Sequence, residues 1–298
     1  MRFEPKDYLR PDVIAQIRRL DIRTKVILSG YMAGRRRALL RGLSADFSGH
    51  KPYQTGDDIR RIDWNVHART DRYYVRQYEA ETARDVWLVP DSSASMAYRG
   101  PDEPMTKFDY SLCVAAALAW LLLNRGDAVG VLSSSERGLI RRRPRCGRRQ
   151  LTKILAGFAA EQPRDAAEIG DVLRAAAIRV KRRGLIVIFS DCIGRLDSLD
   201  DGIARLKHRG HDIILMQTLS SAELTLPFSG PSVFRDPESG LEFAADPDVT
   251  RDTYQSAVQA HCDSVNRTCK MRQADYILMD TSEPFDEPLN ALLTKRRV

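Results

Sequence analysis

The chain has 298 residues, of which 43% are hydrophobic and 29% charged, with a formal net charge of +7. That apolar content offsets chain entropy and excludes an intrinsically disordered protein, while the length allows one large domain or a domain with a smaller companion. The longest apolar run, CVAAALAWLLL, is too short to cross a hydrocarbon layer as a helix and suits a buried one.

Residues 1–84 read as an N-terminal appendage. It opens on a helical stretch, PDVIAQIRRLDIRTKVIL, passes through a polar, glycine-containing segment and ends in a short extended pair around YYVRQYEAET. From 85 to 298 the pattern changes to apolar strands alternating with helices, which writes an α/β domain with a doubly wound, mostly parallel sheet. Strands are predicted over 86–89, 128–132, 185–189, 212–217 and 276–279. Helices are predicted over 110–123, 150–160, 167–180, 196–208, 251–271 and 289–295. ERGLIRRRPR is too short for a crossover helix and reads as an antiparallel edge strand whose arginines discourage pairing with another chain. The 221–248 stretch, broken by proline and glycine, reads as an inserted loop or hairpin.

Five cysteines, at 113, 146, 192, 262 and 269, are odd in number and lack close pairing. Cys113 and Cys192 fall in apolar runs as buried thiols, so a reducing compartment fits best. No apolar stretch of signal-peptide type follows the basic N-terminus, and a cytoplasmic location is expected, with a membrane-associated partner permitted. Arginines cluster in GRRRALLRG and RGLIRRRPRCGRR. They would neutralise phosphate, but no reading helix, zinc module or aromatic platform accompanies them. An acidic protein surface is the better match than nucleic acid.

In a doubly wound sheet, ligands sit beyond the carboxyl ends of strands near the switch point. VWLVPDSSASMAYRG places Asp91, Ser93 and Ser95 at such an end, and LIVIFSDCIG places Asp191 at another. These oxygens could surround a magnesium ion, which prefers six oxygen ligands. Alternatively Ser92, Ser93 or Ser95 caps a helix or satisfies turn amides. Serine hydrolysis is disfavoured, because no glycine flanks Ser93 and none of the five histidines is an identifiable base. There is no glycine-rich phosphate loop ending in lysine and serine or threonine, so the chain does not read as its own ATPase.

DSSASM after its strand resembles the start of a metal-ion-dependent adhesion site in a von Willebrand factor A-type domain. The run FSGHKPYQTGDDIRRIDWNVHARTDRYYVRQYEAE resembles the uncharacterised bacterial proteins associated with MoxR-type AAA+ ATPases, and LLNRGDAVGVLSSS, RGLIVIFSD and LNALLTKRR agree. The resemblance implies a von Willebrand factor A-type fold with Asp91, Ser93, Ser95 and Asp191 as ligands of Mg2+. Two departures stand out. The second loop, EQPRDAAEIGDVL, lacks the expected threonine, leaving Asp165, Glu168 or a water molecule to fill its position, and Pro90 stands where an aliphatic residue is usual.

Within GDDIRRIDWNVHART, a turn at Gly56, Asp57 and Asp58 and charge pairs from Arg60, Arg61 and Arg69 would make a structural clamp, with Trp64 covering apolar surface. His67 with Asp63 lacks a third ligand for a metal. Cys262 and Cys269, at helical spacing, point to a buried face rather than zinc, and His208 and His211 flank a helix-to-strand turn in surface or capping roles. Together these features predict a non-enzymatic adaptor for a MoxR-type ATPase and an unidentified client. A metal-assisted phosphoesterase or nuclease and a metal-independent scaffold are the alternatives.

Overall fold

The computed structural model describes residues 46–53, 63–79, 85–134, 140–163 and 168–284. The first two stretches belong to one compact unit and the other three to a second.

In the smaller unit, β1 (Asp46–Pro52) pairs antiparallel with a strand at Tyr74–Glu79, which is β2, and α1 (Trp64–Thr70) lies between them in sequence. Buried Asp63 starts α1: its carbonyl oxygen accepts from the amides of Val66 and His67. The His67 ring stacks on Tyr73 at 4.4 Å between centroids. Trp64 does not cover apolar surface as the sequence suggests. It is 57% exposed on the first turn of α1 and meets His67 and Tyr73 edge-on. Residues 54–62, with the proposed arginine clamp, and the helices predicted over 11–28 and 289–295 lie outside the described residues.

The larger unit runs β3 (Asp85–Pro90), α2 (Lys107–Asn124), β4 (Ala128–Ser133), β5 (Ile140–Arg145), α3 (Arg148–Ala160), α4 (Ile169–Arg179), β6 (Gly184–Ser190), α5 (Leu196–His208) and β7 (Asp212–Leu219). It continues through α6 (Ser221–Thr225), a hairpin of β8 (Ser232–Arg235) and β9 (Glu242–Ala245), α7 (Pro247–Met271) and β10 (Asp275–Asp280). Six strands form one sheet in the order β10-β7-β6-β3-β4-β5, parallel except for β5, which pairs antiparallel with β4 at the edge. This is the doubly wound, mostly parallel α/β architecture expected from the sequence, with the arginine strand at the predicted edge.

Side-chain alternation divides the core between the two faces of the sheet. Val86 and Leu88 pack with α2 and α3 on one side, whereas Trp87 and Val89 pack with α4, α5 and α7 on the other. Among the described residues α2 alone is long and apolar enough to cross a membrane, yet most of it is buried as a core helix. Cys113, Cys192, Cys262 and Cys269 are buried and Cys146 is exposed. His208 is exposed as expected, but His211 is buried, with hydrogen bonds to the backbone of Val180 and Gly184, although Arg209 and Gly210 in the same turn are exposed.

β3 is the switch strand, with β4 on one side and β6 on the other. Pro90 fits here without breaking the ladder. The Asp91 amide donates to the Phe189 carbonyl on β6 at 2.8 Å, so the position of the missing Pro90 donor faces β4, where pairing has already ended at Leu88.

Candidate functional site

Asp91 leaves the carboxyl end of β3 buried among its neighbours. Its Oδ1 accepts from the Ser93 amide at 2.9 Å, which closes a tight turn, and its Oδ2 accepts from Ser190 Oγ at 2.5 Å. A short 3-10 turn at Ala94–Ala97 follows, pinned to the core by fully buried Met96. Ser93 makes no side-chain cap; its Oγ lies 3.1 Å from Ser95 Oγ. Ser92 turns the other way and pairs with Ser134 Oγ at 2.7 Å. The three serines therefore divide between a structural tie and a pair of adjacent hydroxyls.

Asp191 follows β6, the strand paired with β3. Its Oδ1 accepts from the Ile193 amide at 3.1 Å, and its Oδ2 accepts from Lys107 Nζ at 2.8 Å. Lys107, at 0% exposure on the first turn of α2, also donates to Glu223 Oε1 at 2.7 Å. Glu223 is itself held by the capping box that starts α6. Between the two aspartates, Ser190 Oγ accepts from the Cys192 amide at 3.0 Å while donating to Asp91. Cys192 adopts a left-handed backbone at φ 58°, an uncommon conformation for a residue with a side chain.

Burial, reinforced by the negative charge of Asp191, pushes Asp91 up to about 6. Burial draws the Lys107 ammonium down, but Asp191 and then Glu223 outweigh it and hold its pKa above the ordinary value. Asp191 thus has a counter-charge inside the protein, whereas Asp91 is satisfied by hydroxyl and amide donors alone.

Next to Asp91 and Ser93 opens a cavity of about 60 Å³, room for a few water molecules, lined also by Glu168, Gly194, Arg195 and Glu238. The structure brings Asp91, Ser93 and Ser95 together as a cluster of oxygens, with Asp191 adjacent but turned toward Lys107. Magnesium with oxygens at about 2.1 Å in an octahedron has neighbouring ligands roughly 3 Å apart, a spacing the two serine hydroxyls already have. Among the described residues no group of three or more His, Cys, Asp or Glu side chains is placed to hold a metal, so such an ion would rely on the serine hydroxyls. Of the two substitutes for the absent threonine, Glu168 lines the cavity and Asp165 lies outside the described residues. Glu168 stands at the head of α4 without capping it, which leaves its carboxylate for the cavity.

Five participants were not singled out from sequence: Lys107, Ser190, Arg195, Glu223 and Glu238. Ser190 directly precedes Asp191 and could have been found by the same strand-end argument. A lysine opening an otherwise apolar helix was the available signal for Lys107, and Glu238 sits in the inserted segment with none.

The chain is 31% identical over 292 residues to an uncharacterized protein of Mycobacterium tuberculosis, which covers 96% of this chain and 90% of that protein. Among solved structures it is similar to an aerotolerance-related membrane protein from Bacteroides fragilis, at 15% identity and a TM-score of 0.47, over 71% of this chain and 99% of that one. It is also similar to the SpRpn10 VWA domain, at 14% identity and a TM-score of 0.44, over 70% of this chain and 95% of that one. A family model described as "Protein of unknown function DUF58" matches residues 49–264. With most of its length inside that match, and a relative aligned along nearly all of it, the chain belongs to the DUF58 family.

Proposed function

We propose that this protein is a non-enzymatic docking adaptor that works in the cytoplasm with a MoxR-type AAA+ ATPase and presents the loops after β3 and β6 to a protein partner. The observation that carries this reading is the pair of hydroxyls on Ser93 and Ser95, 3.1 Å apart beside buried Asp91, at the switch point of the sheet. Asp91, Ser93 and Ser95 would hold a magnesium ion, with Asp191 as the neighbouring charge. Such an ion, when bound, supplies a positive centre for an acidic side chain of the partner.

The protein's own groups prepare that face. Ser190 and the Ser93 amide orient Asp91, and Lys107 fixes Asp191 so that the two carboxylates stay apart in role. Because Asp91 titrates near 6, its carboxylate is charged at neutral pH and lost to protonation below. The adaptor should therefore bind its partner more weakly in mild acid.

Calorimetry and pull-down against the MoxR-type ATPase, with magnesium and with chelator, test the reading. Association that falls about tenfold on chelation and in Asp91→Ala is expected, a loss of about 1.4 kcal/mol. No association in either condition would sink direct ATPase docking. Equal binding by Asp91→Ala and Asp191→Ala would reject the metal bridge, and magnesium-dependent phosphate-ester turnover that vanishes in Asp91→Ala would replace docking with hydrolysis.

A further inference from the structure

The β8–β9 hairpin interrupts the path from α6 to α7 and has a tightly tied tip. Phe234 stands opposite Phe243 and Arg235 opposite Glu242, with the two phenyl rings stacked at 5.5 Å. At the tip, Asp236 Oδ1 accepts from the Glu238 amide at 3.0 Å, and Asp236 Oδ2 accepts from the Ser239 amide at 3.3 Å and from the Ser239 hydroxyl. The Asp236 carbonyl oxygen accepts from the Gly240 amide at 2.8 Å, and Gly240 takes φ 72°, a backbone that favours glycine. A turn bound this closely presents one side chain in a defined direction. That side chain is Glu238, which reaches the wall of the cavity beside Asp91 and Ser93 while its residue stays exposed at the mouth.

Placing a carboxylate there is electrostatically unfavourable without compensation. The negative charge of Asp191 repels that carboxylate, and the Ser95 hydroxyl opposes the repulsion as a donor. Asp236 and Glu168 add negative charge, and Arg195 is the cationic side chain in the same wall.

We infer that Glu238 is a resident ligand of the docking face: the hairpin occupies the place of a partner's acidic turn, and the partner that fits is an acidic peptide with glutamate at the apex of a tight turn. This rests on the docking-face reading above and adds both the ligand class and its regulation. The hairpin and the partner compete, so the face is available in proportion to the time the hairpin spends out of it.

The test uses the full chain and a synthetic peptide with the sequence of residues 234–242 as the probe, with millimolar magnesium and with chelator. Glu238→Gln, which keeps the shape of the exposed tip but removes its charge, should bind the peptide about tenfold more tightly than the unsubstituted protein. A peptide carrying glutamine at the glutamate position should bind neither. Equal binding of the glutamate peptide to both proteins, or binding to neither, overturns the inference. Magnesium titration without peptide reads the docking face separately. Magnesium uptake with no peptide preference retires the hairpin ligand alone, whereas a preference for Glu238→Gln without magnesium uptake retires the ion and leaves the hairpin ligand standing.

Discussion

Lys107→Met is the sharpest perturbation of this fold, because it deletes a fully buried ammonium and leaves its two carboxylate partners in place. Methionine fills a similar volume, so the loss is chiefly electrostatic. Removing one partner of a buried ion pair costs about 3–5 kcal/mol, since the remaining charge loses its compensation without regaining water. At about 2–4 °C per kcal/mol for a unit of this size, the melting temperature should fall by roughly 6–20 °C. The measurement is thermal and urea unfolding at pH 7.5 in chelator, beside the double variant Lys107→Met/Asp191→Asn, which should recover much of the loss by removing the stranded charge. With Lys107 gone, the burial that raises the pKa of Glu223 loses the cation that opposes it, so Glu223 takes up a proton more readily when folded than when unfolded. Its penalty is then complete above the raised folded pKa and relieved as pH falls, so the deficit should shrink in acid. A loss under about 1 kcal/mol, the scale of a surface pair, would refute the claim that Lys107 is the counter-charge of the site.

Two further substitutions probe the site and its support. For Asp91, the rise from 3.8 to about 6 corresponds to about 3 kcal/mol of destabilisation, fully present above the folded value and absent below the unfolded one. Asp91→Asn should therefore be the more stable protein at pH 8 in chelator and lose that advantage toward pH 4; parallel urea midpoints across this range would show that folding does not raise the Asp91 pKa. Gly170→Ala would set a methyl group 2.4 Å from the Ser198 carbonyl oxygen, where α4 and α5 touch and backbone must give way. A loss of about 1–3 kcal/mol in the urea midpoint is expected, and an unchanged midpoint would mean that the helices separate freely.

The strands were legible because a sheet covered on both faces is written as short continuous apolar runs bounded by polar residues, a pattern that VWLVP and LIVIFS show plainly. Helix starts were less legible. α2 begins three residues before the predicted 110, since Lys107 looks like a solvent residue until Asp191 and Glu223 are seen around it. α7 begins at Pro247 rather than 251, because a proline read as a loop breaker is here the first helical residue behind the cap Asp246. The candidate residues Asp91, Ser93, Ser95 and Asp191 could be named from sequence because strand ends are local features. Their companions could not: Lys107 meets Asp191 across 84 positions, and no periodicity encodes such a meeting.

Charge balance distinguishes the two strand-end aspartates. Glu168, at the head of α4, lines the cavity beside Asp91, and the hairpin adds Glu238. When ionised, the cavity's own side chains, Asp91, Glu168 and Glu238 against Arg195, leave two uncompensated negative charges, equal in size to one divalent cation. Lys107 lies outside that balance, because Asp191 and Glu223 already engage it. The protein therefore divides its two strand-end aspartates between different partners. Asp191 is neutralised from within by Lys107, while Asp91, held by hydroxyl and amide donors, keeps a pKa near 6 at the wall of the cavity.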